Sequence, residues 1–336
     1  MTFRILSCAV LGVAMAGPVT AQDISLVVNC FLPPQHFLCT ELLPGWLEQV
    51  ETVTEGRVSG LILPTSAAPP TEQLAAVEAG QMDVAVQFNG LIPTQTIGAR
   101  VAMVPFSGGA TAEQNSAALW RTTSAFFAGE FSHVELLSQF VIAPVQIYSL
   151  SDQPVTSLAD LESRRVWALP GPLAAIGAAI DAGVVATPAV ESRDIISRGV
   201  VDASIGPEPE TVRSMQLIPY MRSMTTFSQP LYNSSFSLLM NAATWARISA
   251  ADQEAIRSVS GESFARSAGA AWDSTSAEVL ATFATAGIVS VEADAAFEAE
   301  LREASAFLRE NWLTEAAAAG FDGQAALDFY QTQAGQ

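Results

Sequence analysis

Few side chains in this 336-residue chain have the chemistry for catalysis or metal binding. There are two histidines, His36 and His133. Neither lies in an HExxH pattern or at metal-ligand spacing from a cysteine. All 15 basic residues are arginine, which excludes a Schiff-base or P-loop lysine. GxSxG, GxGxxG and Walker patterns are absent, and no motif calls for a cofactor or a metal. Glu208 and Glu210 stand two apart at a predicted helix start, where acids favour the dipole rather than acid–base work. Glu292, Asp294, Glu298 and Glu300 read as a solvated helix face. The inventory points to binding, not turnover.

The cysteines locate the compartment. Residues 5–16 form an apolar run of about a dozen residues behind Arg4, too short to span a bilayer. Small residues follow at Val19, Thr20 and Ala21, where a signal peptidase cuts, so residues 1–21 read as a leader removed after Ala21. The leader carries Cys8 away. Cys30 and Cys39 remain, and an oxidising compartment favours a disulfide between them, worth about 2–3 kcal/mol at best. Two small buried thiols is the alternative. No later stretch is long and apolar enough to cross a membrane. The net charge of −19 repels nucleic acid and anionic lipid, so neither is expected as a partner.

Short apolar strands alternate with amphipathic helices, the pattern of an α/β fold. Strands are predicted at 24–29, 58–63, 83–88, 134–140, 145–150, 166–169, 201–205 and 234–240. The spacing of Leu43, Trp46, Leu47, Val50 and Val53 predicts a helix over 40–55, ended by Gly56. Thr111 to Gln114 read as a capping box opening a helix to about Phe127. Ser249 to Asp252 cap a helix reaching roughly Ala286, long enough to run across two domains.

Ordered motifs identify a resemblance. Leu32-Pro33-Pro34-Gln35-His36 follows the first strand, and Thr54-Glu55-Gly56-Arg57-Val58 follows the first helix. Glu72-Gln73-Leu74 with Val77, Gly80 and Asp83 come next, then Val104-Pro105-Phe106. Pro154 to Leu161, Gly199-Val200-Val201-Asp202, and Leu231 to Phe236 with Met240-Asn241 and Trp245 complete the series. In order and spacing these resemble the DctP-type substrate-binding proteins of tripartite ATP-independent periplasmic (TRAP) transporters, over about residues 30–290.

The resemblance implies a two-domain periplasmic binding-protein fold with a central cleft and a long helix spanning both domains. It places domain I at 22–143 plus about 233–270, and domain II at 144–232 plus about 271–325. It implies a receptor in the periplasm that encloses a small organic ligand and delivers it to the membrane subunits of a TRAP permease; a monomer is expected, though the sequence does not fix the oligomeric state. A sensory binding component, or an enzyme on a similar fold, are the alternatives.

The family's usual carboxylate-gripping arginine aligns with Trp167, and a second arginine position with Gln146. A guanidinium gives paired charge-assisted bonds, whereas tryptophan gives a flat face and one donor. The expected ligand is therefore neutral or cationic first, an aromatic or amphipathic acid second, a dicarboxylate third. Trp167, at the carboxyl end of a strand, is the leading candidate contact. Phe88 and Phe236 could build an aromatic box or belong to the core. Gln146, Asn89, Asn233 and Glu208 could supply polar contacts. Arg165 shares the face of Trp167 and could still reach an acid. His36 is either site rim or structural turn.

Overall fold

The apolar strands collect into two sheets in the computed structural model, which describes residues 23–335. The leader over 1–21 and its cut after Ala21 lie outside the described residues.

The first sheet holds β1 (Ile24–Asn29), β2 (Val58–Ile62), β3 (Val84–Phe88), β4 (Val134–Val141) and β10 (Ser235–Asn241). The second holds β5 (Ile147–Ser149), β6 (Arg165–Ala168), β7 (Gly183–Ala186), β8 (Ala203–Ile205), β9 (Ser223–Thr226) and β11 (Val289–Glu292). Their orders are β2-β1-β3-β10-β4 and β11-β9-β5-β8-β6-β7. β1 runs parallel to β2 and β3, while β10 is antiparallel to β3 and β4. β3 and β10 are buried along their whole length, so Gln87, Ser235, Ser237 and Asn241 are enclosed among their apolar neighbours.

The chain first leaves the first sheet after β4 and returns to it before β10 on two neighbouring segments. Ile142 N–H donates to Ser234 O at 3.1 Å and Val145 N–H to Tyr232 O at 3.0 Å. These bonds tie the outgoing segment to the returning one.

Five helices matter for the site. α1 (Leu43–Val53) buries Leu43, Trp46, Leu47 and Val50, the predicted face. α2 (Ala112–Phe126) starts where Thr111 accepts from Gln114 N–H. α3 is the short helix Pro209–Ser214, α4 is Gly261–Phe283, and α5 is Ala295–Ala318. α4 touches both sheets. Gly269 presses on α2, where an added Cβ would stand 2.4 Å from Ala112 O. Further along, the Phe283 ring meets that of Tyr148 on β5 at 6.3 Å.

The long helix expected from Ser249 to about Ala286 is two helices, Ala250–Val259 and Gly261–Phe283. The break has local causes. Ser260 Oγ accepts from Trp46 Nε1 at 3.0 Å, and Gly261 O accepts from Ser138 Oγ at 2.7 Å. Gly261 takes φ +51, a conformation other side chains rarely adopt. The acids expected on a solvated face are also corrected in part. Asp294 caps α5, and Glu298 is buried, accepting from the Ser228 backbone and hydroxyl.

Candidate functional site

One aromatic surface inside the fold is made by strand register. Phe236 on β10 lies opposite Phe88 on β3 and Phe140 on β4. The ring centroids are 5.1 Å apart for Phe88–Phe236 and 5.4 Å for Phe140–Phe236. Trp272 from α4 joins the stack, 6.3 Å from Phe236 and nearly parallel at 20°. Such offset pairs each contribute about 0.5–1.5 kcal/mol beyond their buried area.

This surface forms one wall of a chamber between the two sheets. Phe31, Leu32, His36, Phe88, Leu91, Ser234 and Phe236 face it from the first sheet and its loops. Leu169, Pro170, Val190, Gly206, Thr211 and Met215 face it from the second, and Trp272 from α4. Its volume, about 50 Å³ to the centre of a water-sized sphere, is several times what one water needs. No arginine lines it among the described residues.

The polar edge is built by the loop after β1 and the start of α3. His36 is 3% exposed. Its Nδ1 accepts from Leu38 N–H at 3.1 Å, and its Nε2 meets Glu210 Oε2 at 2.8 Å. An Nδ1 that accepts must lack a proton, so the hydrogen sits on Nε2 and points at Glu210. Arg213 stands 3.7 Å from the other Glu210 oxygen. Cys30 and Cys39 are bonded, with their Cα atoms 5.7 Å apart. That bond closes the loop carrying Phe31, Leu32 and His36.

Glu208 lies just behind this edge, fully buried. It caps α3 by accepting from Glu210 N–H at 2.6 Å and Thr211 N–H at 2.9 Å. Thr211 Oγ1 donates to it at 2.7 Å, Ser276 Oγ at 3.2 Å and Trp272 Nε1 at 3.3 Å. Burial, then the charge of Glu210, pushes its carboxyl up to about 7, against the pull of the Thr211 and Glu210 hydrogen bonds.

Of the sequence candidates, the structure brings His36, Phe88 and Phe236 together on the chamber wall. The others stand outside it. Trp167 is fully buried in β6, and its Nε1 donates to Thr187 Oγ1 at 3.0 Å. Arg165, at the far end of the same strand, donates to Gly199 O. Asn89 donates to Ser235 Oγ and accepts from Ser237 Oγ, and Asn233 donates to Ile142 O. Gln146 exchanges backbone bonds with Gly206 and Pro207, and its Nε2 reaches Pro144 O at 3.4 Å. Glu208 acts on the wall through Thr211 and Trp272. The carboxyl-end rule that singled out Trp167 holds for Leu169 and Pro170, just beyond it. Trp272 and Thr211 carried no local signal, and Ser234 stood only as a member of the Leu231 to Phe236 motif.

A family model described as bacterial extracellular solute-binding protein, family 7 (DctP), matches residues 30–315. The outer membrane transporter protein TsaT of Comamonas testosteroni is 36% identical over 337 residues, covering 99% of each chain. A TRAP periplasmic solute-binding protein from Bordetella bronchiseptica, solved with (R)- and (S)-mandelate, is 30% identical with a TM-score of 0.86. The match covers 93% of this chain and 98% of that one. A marine metagenome TRAP solute-binding protein specific for aromatic acids, solved with 3-hydroxybenzoate, shares the fold at a TM-score of 0.85 and 23% identity. That likeness covers 93% of this chain and 98% of the other.

Proposed function

The chain belongs to family 7 of the bacterial extracellular solute-binding proteins, and from that premise we propose that it is a periplasmic TRAP receptor for a compact aromatic molecule. The observation that carries the ligand class is the wall of Phe31, Phe88, Phe236 and Trp272 with no arginine beside it. Flat rings stack on such a wall, and a small apolar chamber excludes sugars and polyols, whose hydroxyls would go unpaired. The two sheets act as the cores of two lobes, and ligand stabilises the closed arrangement through contacts that exist only there. Closed and loaded, the protein hands its ligand to membrane permease subunits. It works as a monomer, without turnover: both nitrogens of His36 are engaged, so it is not free to serve as a base to a nucleophile.

Buried Glu210 lies at the polar edge of the chamber, which favours a neutral or cationic aromatic over a free carboxylate. An aromatic acid is the second reading, favoured by the mandelate and 3-hydroxybenzoate of the related structures. Thermal shift against benzyl alcohol, benzylamine, benzoate, (R)-mandelate and malate tests both. A ligand at about 100 times its Kd adds roughly 2.7 kcal/mol. The largest shift is expected from benzyl alcohol or benzylamine. A larger shift from benzoate selects the second reading, and a shift from malate alone sinks the aromatic one. The export part is checked by mass spectrometry of protein from the periplasm, which should begin at Gln22.

A further inference from the structure

The segment 233–237 carries three serines, and their fates differ. Ser235 Oγ donates to Ala99 O at 2.7 Å, and Ser237 Oγ to Asn89 Oδ1 at 2.8 Å. Ser234 is 1% exposed, and its Oγ has no partner in the protein. Side chains two apart along an extended chain share a face. Ser234 therefore looks the same way as Phe236, and both line the chamber.

The other polar groups of that wall are already engaged. His36 is held by Glu210 and Leu38, and Thr211 Oγ1 donates to Glu208. A buried hydroxyl left without a partner is unfavourable unless something supplies the bond. The backbone of Ser234 is engaged separately: Ser234 O accepts from Ile142 N–H at the paired crossing between the sheets. That bond needs no side chain, so the hydroxyl has no evident part in holding the fold.

We propose that Ser234 is a specificity-determining residue, its hydroxyl forming a hydrogen bond with a hydroxyl on an aromatic ligand while the ring lies against Phe236. A serine hydroxyl both donates and accepts, so it serves a neutral partner well and cannot neutralise an anion. This deepens the aromatic reading above and rests on it. The ligand class becomes a single ring with one neutral polar substituent close to it.

Two ligand pairs differing by one hydroxyl test the proposal: benzyl alcohol against toluene, and (R)-mandelate against phenylacetate. Calorimetric titration of wild type, Ser234→Ala and Ser234→Thr gives the Kd ratio within each pair. For the pair the wild type binds, Ser234→Ala should lower the preference for the hydroxylated member about 3–10-fold, the range of one neutral hydrogen bond. Ser234→Thr, which keeps the hydroxyl, should retain most of the preference. Ligand-free Ser234→Ala should melt no lower than wild type. An unchanged ratio, or a lowered melting temperature without ligand, overturns the role of Ser234 and leaves the aromatic reading standing. Failure of all four probes to bind wild type overturns both.

Discussion

The imidazole of His36 meets the carboxylate of Glu210 across the cleft, Nε2 to Oε2 at 2.8 Å, with both side chains 2% exposed. One residue follows β1 in the first sheet, and the other lies in α3 beside the second. If the two sheets are the cores of two lobes, as proposed above, this bond exists only when the lobes are together. His36→Leu would leave Glu210 buried without its Nε2–H donor, with Arg213 as the nearby cation. We expect a loss of about 1.5–3 kcal/mol, the value of a hydrogen bond to a charged group. Glu210→Gln keeps an acceptor for Nε2–H and should lose less. Urea denaturation of the two variants checks the order.

Glu208 makes stability depend on pH in a defined direction. Its carboxyl is raised from 4.5 to about 7 in the folded chain, so the native state holds the extra proton between those values. The contribution is full below about pH 4.5 and is lost as pH rises through about 7. Glu208→Gln removes this slope while keeping an oxygen to cap α3. Wild type should lose ground to the variant between pH 5 and pH 8 in chemical denaturation. A parallel pH response of the two proteins would contradict the raised value.

Replacing Cys30 and Cys39 by serine should cost about 2–3 kcal/mol from loop entropy alone. The loop they close also carries Phe31, Leu32 and His36 on the chamber wall. Ligand affinity should therefore fall together with stability. A stability loss with unchanged Kd would show that packing alone holds the wall in place.

Trp167→Phe separates the alignment from the geometry. The change deletes one hydrogen bond, to Thr187, in a fully buried site. A stability loss of roughly 1 kcal/mol is expected, with ligand preference unchanged in the thermal-shift panel. Altered preference would bring Trp167 back to the ligand.

The strands that frame the chamber were legible because β1, β3, β4 and β10 are mostly apolar and bounded by turn residues. β7, β9 and β11 were not. Each has four residues, β7 and β11 are largely exposed, and the β9 sequence SMTT buries polar side chains. Neither apolar alternation nor length marks such strands. Phe88 and Phe236 were legible from the carboxyl end of β3 and the start of its antiparallel neighbour. Trp167 was misplaced because Val166, Trp167 and Ala168 are all buried, so alternation cannot tell which face meets a ligand. Trp272 and Glu210 reach the site only through the docking of α4 and α3, which no local pattern encodes.

The covalent link between Cys30 and Cys39 makes the redox history of a preparation part of any binding measurement. Protein made in a reducing cytosol would fold without it. Its wall of Phe31, Leu32 and His36 would then be held by packing alone, and a ligand screen on that material would describe a looser receptor than the disulfide-bonded one. Counting free thiols before titration distinguishes the two samples.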